Sequence, residues 1–180
     1  MHDVIRTERL ELHLLSLAEL DDVAAGGAAG FAARIGAEVD DEWVKEVRGL
    51  AGFRASQLRE RPSDAPWLLR ALVTAEPGQP RRAIGYLNFH TAPDPSGMVE
   101  IGYTLMPDAR GRGYAIEAVR GAFAWATREF GIHRFRASVS PGNERSENLI
   151  GKLGFVRTGE QWDERDGLEY VYELETGEAG

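Results

Sequence analysis

The sequence predicts a mixed α/β domain whose central sheet holds one parallel strand pair flanked by hairpins. Two patterns carry that reading. Residues 98–153 run strand, helix, strand, helix, an order that joins parallel strands through a crossover helix. Residues 9–14 and 98–105 alternate apolar and polar side chains, as half-buried strands do, whereas 112–130 repeats its apolar positions at helical spacing.

The first strand is Arg9-Leu10-Glu11-Leu12-His13-Leu14. Residues 16–60 are Ala-rich and read as one or two helices, with Gly26-Gly27 and Gly30 as breaks, closed by Arg61-Pro62-Ser63-Asp64. Two strands follow over 67–74 and 83–90, joined by a turn containing Pro77-Gly78; residues 91–97, with Pro93 and Pro95, form a loop. In the strand over 98–105, Val99, Ile101, Tyr103 and Leu105 share one face and Glu100, Gly102 and Thr104 the other, and Pro107 ends it. A helix over 112–130 presents Ile116, Val119, Phe123, Ala126 and Phe130 on one side and stops at Gly131. Next come a strand over 134–140 and a helix over 143–153 stopped by Gly154, and strands at 155–156 and 169–174 complete the chain. No internal repeat or low-complexity linker interrupts it.

Composition narrows the function classes. The 180 residues suit one domain with a real core. The absence of cysteine excludes a disulfide framework, a thiolate zinc site and a thiol nucleophile. The polar start, Met1-His2-Asp3-Val4-Ile5-Arg6, lacks the apolar stretch of a signal peptide, and no window approaches the length of a membrane span. A cytoplasmic protein with no membrane partner is expected. A formal charge of −8 argues against nucleic acid as the main partner. That charge is uneven: residues 110–157 hold nine Lys/Arg and four acids, a window of +5 inside a remainder of −13.

The basic window contains Arg110-Gly111-Arg112-Gly113-Tyr114-Ala115, at the junction of a strand end and a helix start. Glycines there let a ligand approach the backbone, and the unpaired N–H groups of a first helical turn attract anions. Arginines add charge with geometry suited to phosphate, so a pyrophosphate is a natural ligand. The segment is neither a Walker loop, which needs Gly-Lys-Ser/Thr, nor a dinucleotide fingerprint, whose third glycine is replaced by Ile116.

Arg110-x-x-Gly113-x-Ala115 resembles the Arg/Gln-x-x-Gly-x-Gly/Ala signature of the GNAT superfamily of N-acetyltransferases. The wider run from Glu100-Ile101-Gly102-Tyr103 through Glu117-Ala118 is similar to its RimJ/RimL-type branch. So are Asn143-x-x-Ser146-x-Asn148 with Lys152-Leu153-Gly154-Phe155, and the opening Thr7-Glu8-Arg9-Leu10-x-Leu12. The resemblance spans nearly the whole chain and is weakest over residues 20–65. It implies one transferase domain over residues 1–180, with its core at about 7–175 and a short flexible C-terminal tail. It also implies a central mixed, largely antiparallel sheet with a splayed parallel pair. Acetyl-CoA becomes the donor and an amine the acceptor, either a protein N-terminus or a small molecule. By the same analogy, amides of Gly111, Arg112, Gly113, Tyr114 and Ala115 hold the pyrophosphate, with Arg110 beside them. Backbone groups of Tyr103, Thr104 and Leu105 pair with the pantetheine arm, and Asn143 and Asn148 add contacts. Dimers occur in this branch, and no apolar stripe in the sequence compels one here.

The chemistry assigns the remaining roles. An alkylamine is mostly protonated at pH 7 and must lose a proton before it attacks a thioester. Glu100 occupies the place of the strand glutamate that serves as base in some members; it can equally be a solvated strand residue. His90 is the next candidate base. Ser146 stands where the branch's serine is thought to reach the coenzyme A sulfur as proton donor, though three residues after Asn143 it can also hydrogen-bond the first helical turn. Tyr103 and Tyr114 read as core and cofactor-packing residues. Phe31, Trp43, Phe53, Trp67 and Trp162 are either core or lining of an acceptor pocket. The four histidines show no metal spacing, so no metal is expected. Without cysteine, direct transfer in a ternary complex is the expected route. Two other readings stay open: a non-catalytic acyl-CoA sensor or assembly protein, and a domain binding another phosphorylated ligand.

Overall fold

The computed structural model describes residues 4–164 and 167–177. In chain order the elements are β1 (Val4–Arg6), β2 (Leu10–Leu14), α1 (Leu17–Ala25), α2 (Ala29–Ile35), α3 (Asp41–Glu60), β3 (Arg70–Thr74), β4 (Ala83–Phe89) and β5 (Met98–Leu105). Then follow α4 (Tyr114–Phe130), β6 (Arg134–Val139), α5 (Glu144–Leu153), β7 (Val156–Asp163) and β8 (Gly167–Glu175). The strands form one mixed sheet in the order β1-β2-β3-β4-β5-β6-β8-β7. Every neighbouring pair is antiparallel except β5 and β6, the parallel pair joined through α4.

Alternation along the strands feeds two cores. Leu12, Leu72, Leu87, Val99 and Ile101 face α4 and meet Ala118, Val119, Ala122 and Phe123. Ala71 and Val73, on the other side of β3, face the α1–α3 layer with Leu20, Val23, Phe31, Trp43 and Val47. Burial on both sides explains why β3 is apolar throughout apart from its two ends. The β3–β4 register shifts beside Gly85: Trp43 donates its indole N–H to the Gly85 carbonyl at 2.8 Å, and a Cβ on Gly85 would lie 2.2 Å from the Thr104 carbonyl oxygen. Only glycine fits there.

Several elements differ from the sequence reading. Residues 16–60 hold three helices rather than one or two. Gly26 and Gly36 end the first two in left-handed conformation, and Asp40 starts the third by accepting a hydrogen bond from the Trp43 amide at 2.7 Å. The strand expected over 67–74 begins at Arg70, because residues 62–67 form a 3₁₀ turn in which Pro62 and Pro66 offer no amide for a ladder. Trp67 closes that turn by stacking edge-on against Phe89 and Trp125. The helix expected from 112 begins at Tyr114, since Gly113 has φ +81, outside the helical region. β1 precedes the first expected strand, and β7 runs far beyond residues 155–156. Most of β7 is exposed and, among the described residues, its one sheet neighbour is β8, so it carries no apolar alternation to read. The final residues of the expected flexible tail, 178–180, lie outside the described residues.

Candidate active site

β5 and β6 pair only where Met98, Val99 and Glu100 meet Arg134, Phe135 and Arg136. Beyond Glu100 the strands part. A cleft of about 710 Å³ opens between the far end of β5, the first turn of α4 and α5. Its walls include Tyr103, Thr104, Leu105, Arg110, Gly111, Gly113, Ala115, Asn143, Ser146 and Asn148. The loop entering α4 is shaped by Gly111 and Gly113, both left-handed at φ +78 and +81. Gly113 is the N-cap and no side chain caps the helix, so the amides of the first turn are left for a ligand. Arg110 folds back, its Nε donating to the Leu105 carbonyl at 3.0 Å, which ties the loop to the strand end.

At the α5 end, Asn143 Oδ1 accepts from the Ser146 amide at 3.3 Å and caps the helix. The Ser146 side chain remains on the cleft wall. Beside it lies the Tyr103 hydroxyl, buried and without a well-formed hydrogen bond; burial pushes its pKa up and the neighbouring Ser146 pulls the other way. A buried phenol lacking a partner is costly unless a ligand supplies one.

Glu100 points from the opposite face of β5. Ser138 Oγ donates to Glu100 Oε1 at 2.6 Å, and Gln161 Nε2 donates to Ser138 Oγ at 3.1 Å and to Glu169 Oε2 at 3.0 Å. His90 Nδ1 stands 3.6 Å from Glu100 Oε1, too far for a hydrogen bond. Burial lowers the His90 pKa, opposed by the Glu100 charge, which favours a neutral ring at pH 7. Both groups reach solvent, with Glu100 21% and His90 45% exposed.

A buried network from α3 holds this face. Arg54 donates to Asn88 Oδ1 at 3.0 Å, to the His90 carbonyl at 2.8 Å and to Gln57 Oε1. Gln57 in turn donates to Asp64 Oδ2 at 2.7 Å and to the same His90 carbonyl at 2.9 Å. Burial pulls the Arg54 pKa down to about 10, which leaves it charged.

Comparison with known proteins identifies the architecture. The family description "Acetyltransferase (GNAT) domain" matches residues 9–156. The chain belongs to the GNAT acetyltransferases. An uncharacterised N-acetyltransferase of Bacillus subtilis (strain 168), YjdG, is 24% identical over 157 residues, covering 85% of this chain and 89% of the relative. The [Ribosomal protein uS5]-alanine N-acetyltransferase of Escherichia coli (strain K12) is 36% identical over 59 residues, 33% of this chain and 30% of that protein. The solved ribosomal α-N-protein acetyltransferase RimL, in complex with coenzyme A, superposes with a TM-score of 0.62 at 16% identity, covering 96% and 97% of the two chains, a likeness of fold.

Within this GNAT fold, the expected cofactor residues fall into two groups. All but Arg112 and Tyr114 line the cleft. The Arg112 carbonyl turns away and accepts from Arg9, and the Tyr114 ring is buried with its hydroxyl on Glu76, so neither side chain lines the cleft. Ser146 joins the cleft, whereas Glu100 lies across β5 from it, at the point where β5 and β6 part. Arg145 and Lys152 line the cleft as well, as do Ile116 and Leu149. The basic count over 110–157 was the signal for the two cations; the apolar pair follows helical spacing from residues already named. Of the aromatic candidates, Phe31, Trp43 and Trp67 are core, while Phe53 and Trp162 are exposed. No group of three His, Asp or Glu is placed to hold a metal among the described residues, and none of their helices is long and apolar enough to cross a membrane.

Proposed function

We propose that this chain transfers an acetyl group from acetyl-CoA directly to a primary amine on a cationic acceptor, a protein N-terminus or a small molecule. The observation that carries the reading is the juxtaposition at β5: an anion-binding helix start and a gap in the sheet on one side, a carboxylate on the other. The first-turn amides of α4, with Arg110, Arg145 and Lys152 nearby, suit the pyrophosphate and the phosphates beyond it. The free edge of β5 at Tyr103 and Leu105, on either side of Thr104, offers backbone groups to the amides of the pantetheine arm, as a neighbouring strand would. Asn143 and Asn148 complete the wall.

With the thioester held at the gap, Glu100 accepts the amine proton, directly or through a water. The neutral nitrogen attacks the carbonyl carbon, the tetrahedral intermediate loses the second nitrogen proton to water and collapses, and the departing sulfur takes a proton from Ser146 or Tyr103, whose hydroxyl is reprotonated from solvent. His90, kept neutral, is the second candidate base. The acidic remainder of the chain favours a cationic acceptor. The reading includes a cytoplasmic setting and no nucleic-acid or membrane partner. Sedimentation distinguishes a monomer from a homodimer.

The test is free-thiol release from acetyl-CoA with a panel of amines, including peptides that begin with alanine or serine. Glu100→Gln is expected to lower kcat about 100-fold with KM for acetyl-CoA unchanged. Coenzyme A binding by the wild type without release from any amine would favour the sensor reading. No calorimetric signal with coenzyme A would overturn both.

A further inference from the structure

We propose that Arg9 is a positioning residue for the anion loop, holding the peptide between Arg112 and Gly113 so that its N–H faces the cleft. The inference rests on the reading that this loop receives the pyrophosphate. Arg9 lies in the turn between β1 and β2, more than a hundred residues from the loop. Its backbone is fixed first: the Arg9 carbonyl accepts from the Ala75 amide at 2.8 Å, and the Arg9 amide donates to Glu117 Oε1 at 2.7 Å. The side chain is fixed next, with Nε donating to Glu117 Oε2 at 2.7 Å. Thr7 Oγ1 donates to the same carboxylate at 2.6 Å, and the guanidinium carbon sits 4.7 Å above the centre of the Tyr114 ring.

A guanidinium held in this way has its two terminal nitrogens left for the loop. Nη1 donates to the Arg112 carbonyl at 3.0 Å. A trans peptide is planar, with its C=O and N–H pointing in opposite directions. Gripping the Arg112 oxygen from behind therefore turns the Gly113 N–H away from Arg9, and Gly113 lines the cleft while Arg9 does not. Nη2 lies beside the same residue, 3.4 Å from where a Cβ on Gly113 would stand. Electrostatics points the same way. Glu117 sits in the first turn of α4, where its charge favours the helix but opposes an incoming phosphate. Arg9 offsets that charge without entering the cleft.

Two variants and two readouts test the proposal. In the ligand-free protein, hydrogen exchange of peptides spanning 110–117 is expected to quicken in Arg9→Gln by about tenfold. Arg9→Lys keeps a charge near Glu117 but lacks the second arm, so its loop should still exchange faster than wild type. Calorimetric affinity for coenzyme A is expected to fall about tenfold in Arg9→Gln. KM for acetyl-CoA should rise in step while kcat holds. S-acetylpantetheine lacks the pyrophosphate, so its turnover should be essentially unchanged. Equal losses with both donors, or unchanged exchange together with unchanged affinity, would overturn the role of Arg9. A wild type that binds no coenzyme A would instead overturn the functional reading, and loop exchange would still decide whether Arg9 sets the loop.

Discussion

The two faces of β5 are made from different materials. The face proposed for the donor is mostly main chain: glycine-shaped turns, the bare amides of a helix start, and a strand edge left open where β6 departs. The face proposed for the acceptor is mostly side chain: Glu100 on Ser138, His90 near it, and behind them Arg54, Gln57, Asp64 and Asn88 interlocked below the surface. A main-chain site needs only a short contiguous segment, and its chemistry suits the invariant part of a donor. A side-chain site draws on partners more than thirty residues apart and can be altered one residue at a time. The contrast teaches that donor binding and acceptor choice should respond to separate substitutions.

The largest effect should come from breaking the buried network. Arg54→Ala takes the donor from the buried oxygens Gln57 Oε1 and Asn88 Oδ1 and one of two donors from the His90 carbonyl, and a loss of about 3 kcal/mol in denaturant unfolding is expected. Under conditions where the variant remains folded, KM for the amine should rise while coenzyme A affinity holds. If coenzyme A affinity fell equally, the two faces would not be separable.

Gly113→Asp attacks the other face. It places a side chain on a left-handed residue and a negative charge beside the proposed pyrophosphate site. Calorimetry should show coenzyme A affinity lower by about 100-fold. Unchanged affinity would displace the pyrophosphate from this loop. A smaller effect separates the two hydroxyls at the cleft: Ser146→Ala and Tyr103→Phe should each lower kcat about tenfold. If one leaves kcat intact, the other is the proton donor. Rate profiles against leaving-group pKa, using thioesters of graded acidity, would show the dependence steepen in the variant that matters.

The smallest effect concerns β2, away from both sites. Burial alone would raise the Glu11 carboxyl, but hydrogen bonds from Arg81 and His13 outweigh it and hold the pKa at about 2. Its ordinary value is 4.5, so the stabilisation is complete above that pH and is lost as pH falls toward 2. Glu11→Gln should flatten the decline of Tm with acid over that interval and leave KM for both substrates unchanged.

The donor face was legible in the sequence because it is local. Gly111, Gly113 and Asn143 act within a few residues of themselves, and each turn or cap writes its own composition. Even there the direction of side chains was hidden: Tyr114 sits at the centre of the motif, yet its ring turns inward to Arg9 and Glu76. The acceptor face was legible only as single candidates. Glu100 and His90 stood out as titratable residues on strands, but Arg54 and Gln57 look in sequence like the polar side of a helix. Their burial depends on where β4 ends and where Asp64 is carried by the proline-rich turn, both set by tertiary packing. Tyr103 shows the same limit, since an alternating strand tells which face a phenol takes but not that its hydroxyl lacks a partner.

With acetyl-CoA bound as proposed, the parting of β5 from β6 would also tie the stability of the sheet to its donor. Two half-sheets meet edge to edge at three residue pairs, and past them a strip of main chain waits for an outside partner. A donor that fills this strip and spans to α5 acts as a keystone, joining halves that the chain itself joins only at one end. By mass action, donor at 100 times its Kd would add about 2.7 kcal/mol to the folded state. The lifetime of the protein would then rise and fall with the acetyl-CoA concentration around it, before any acceptor arrives.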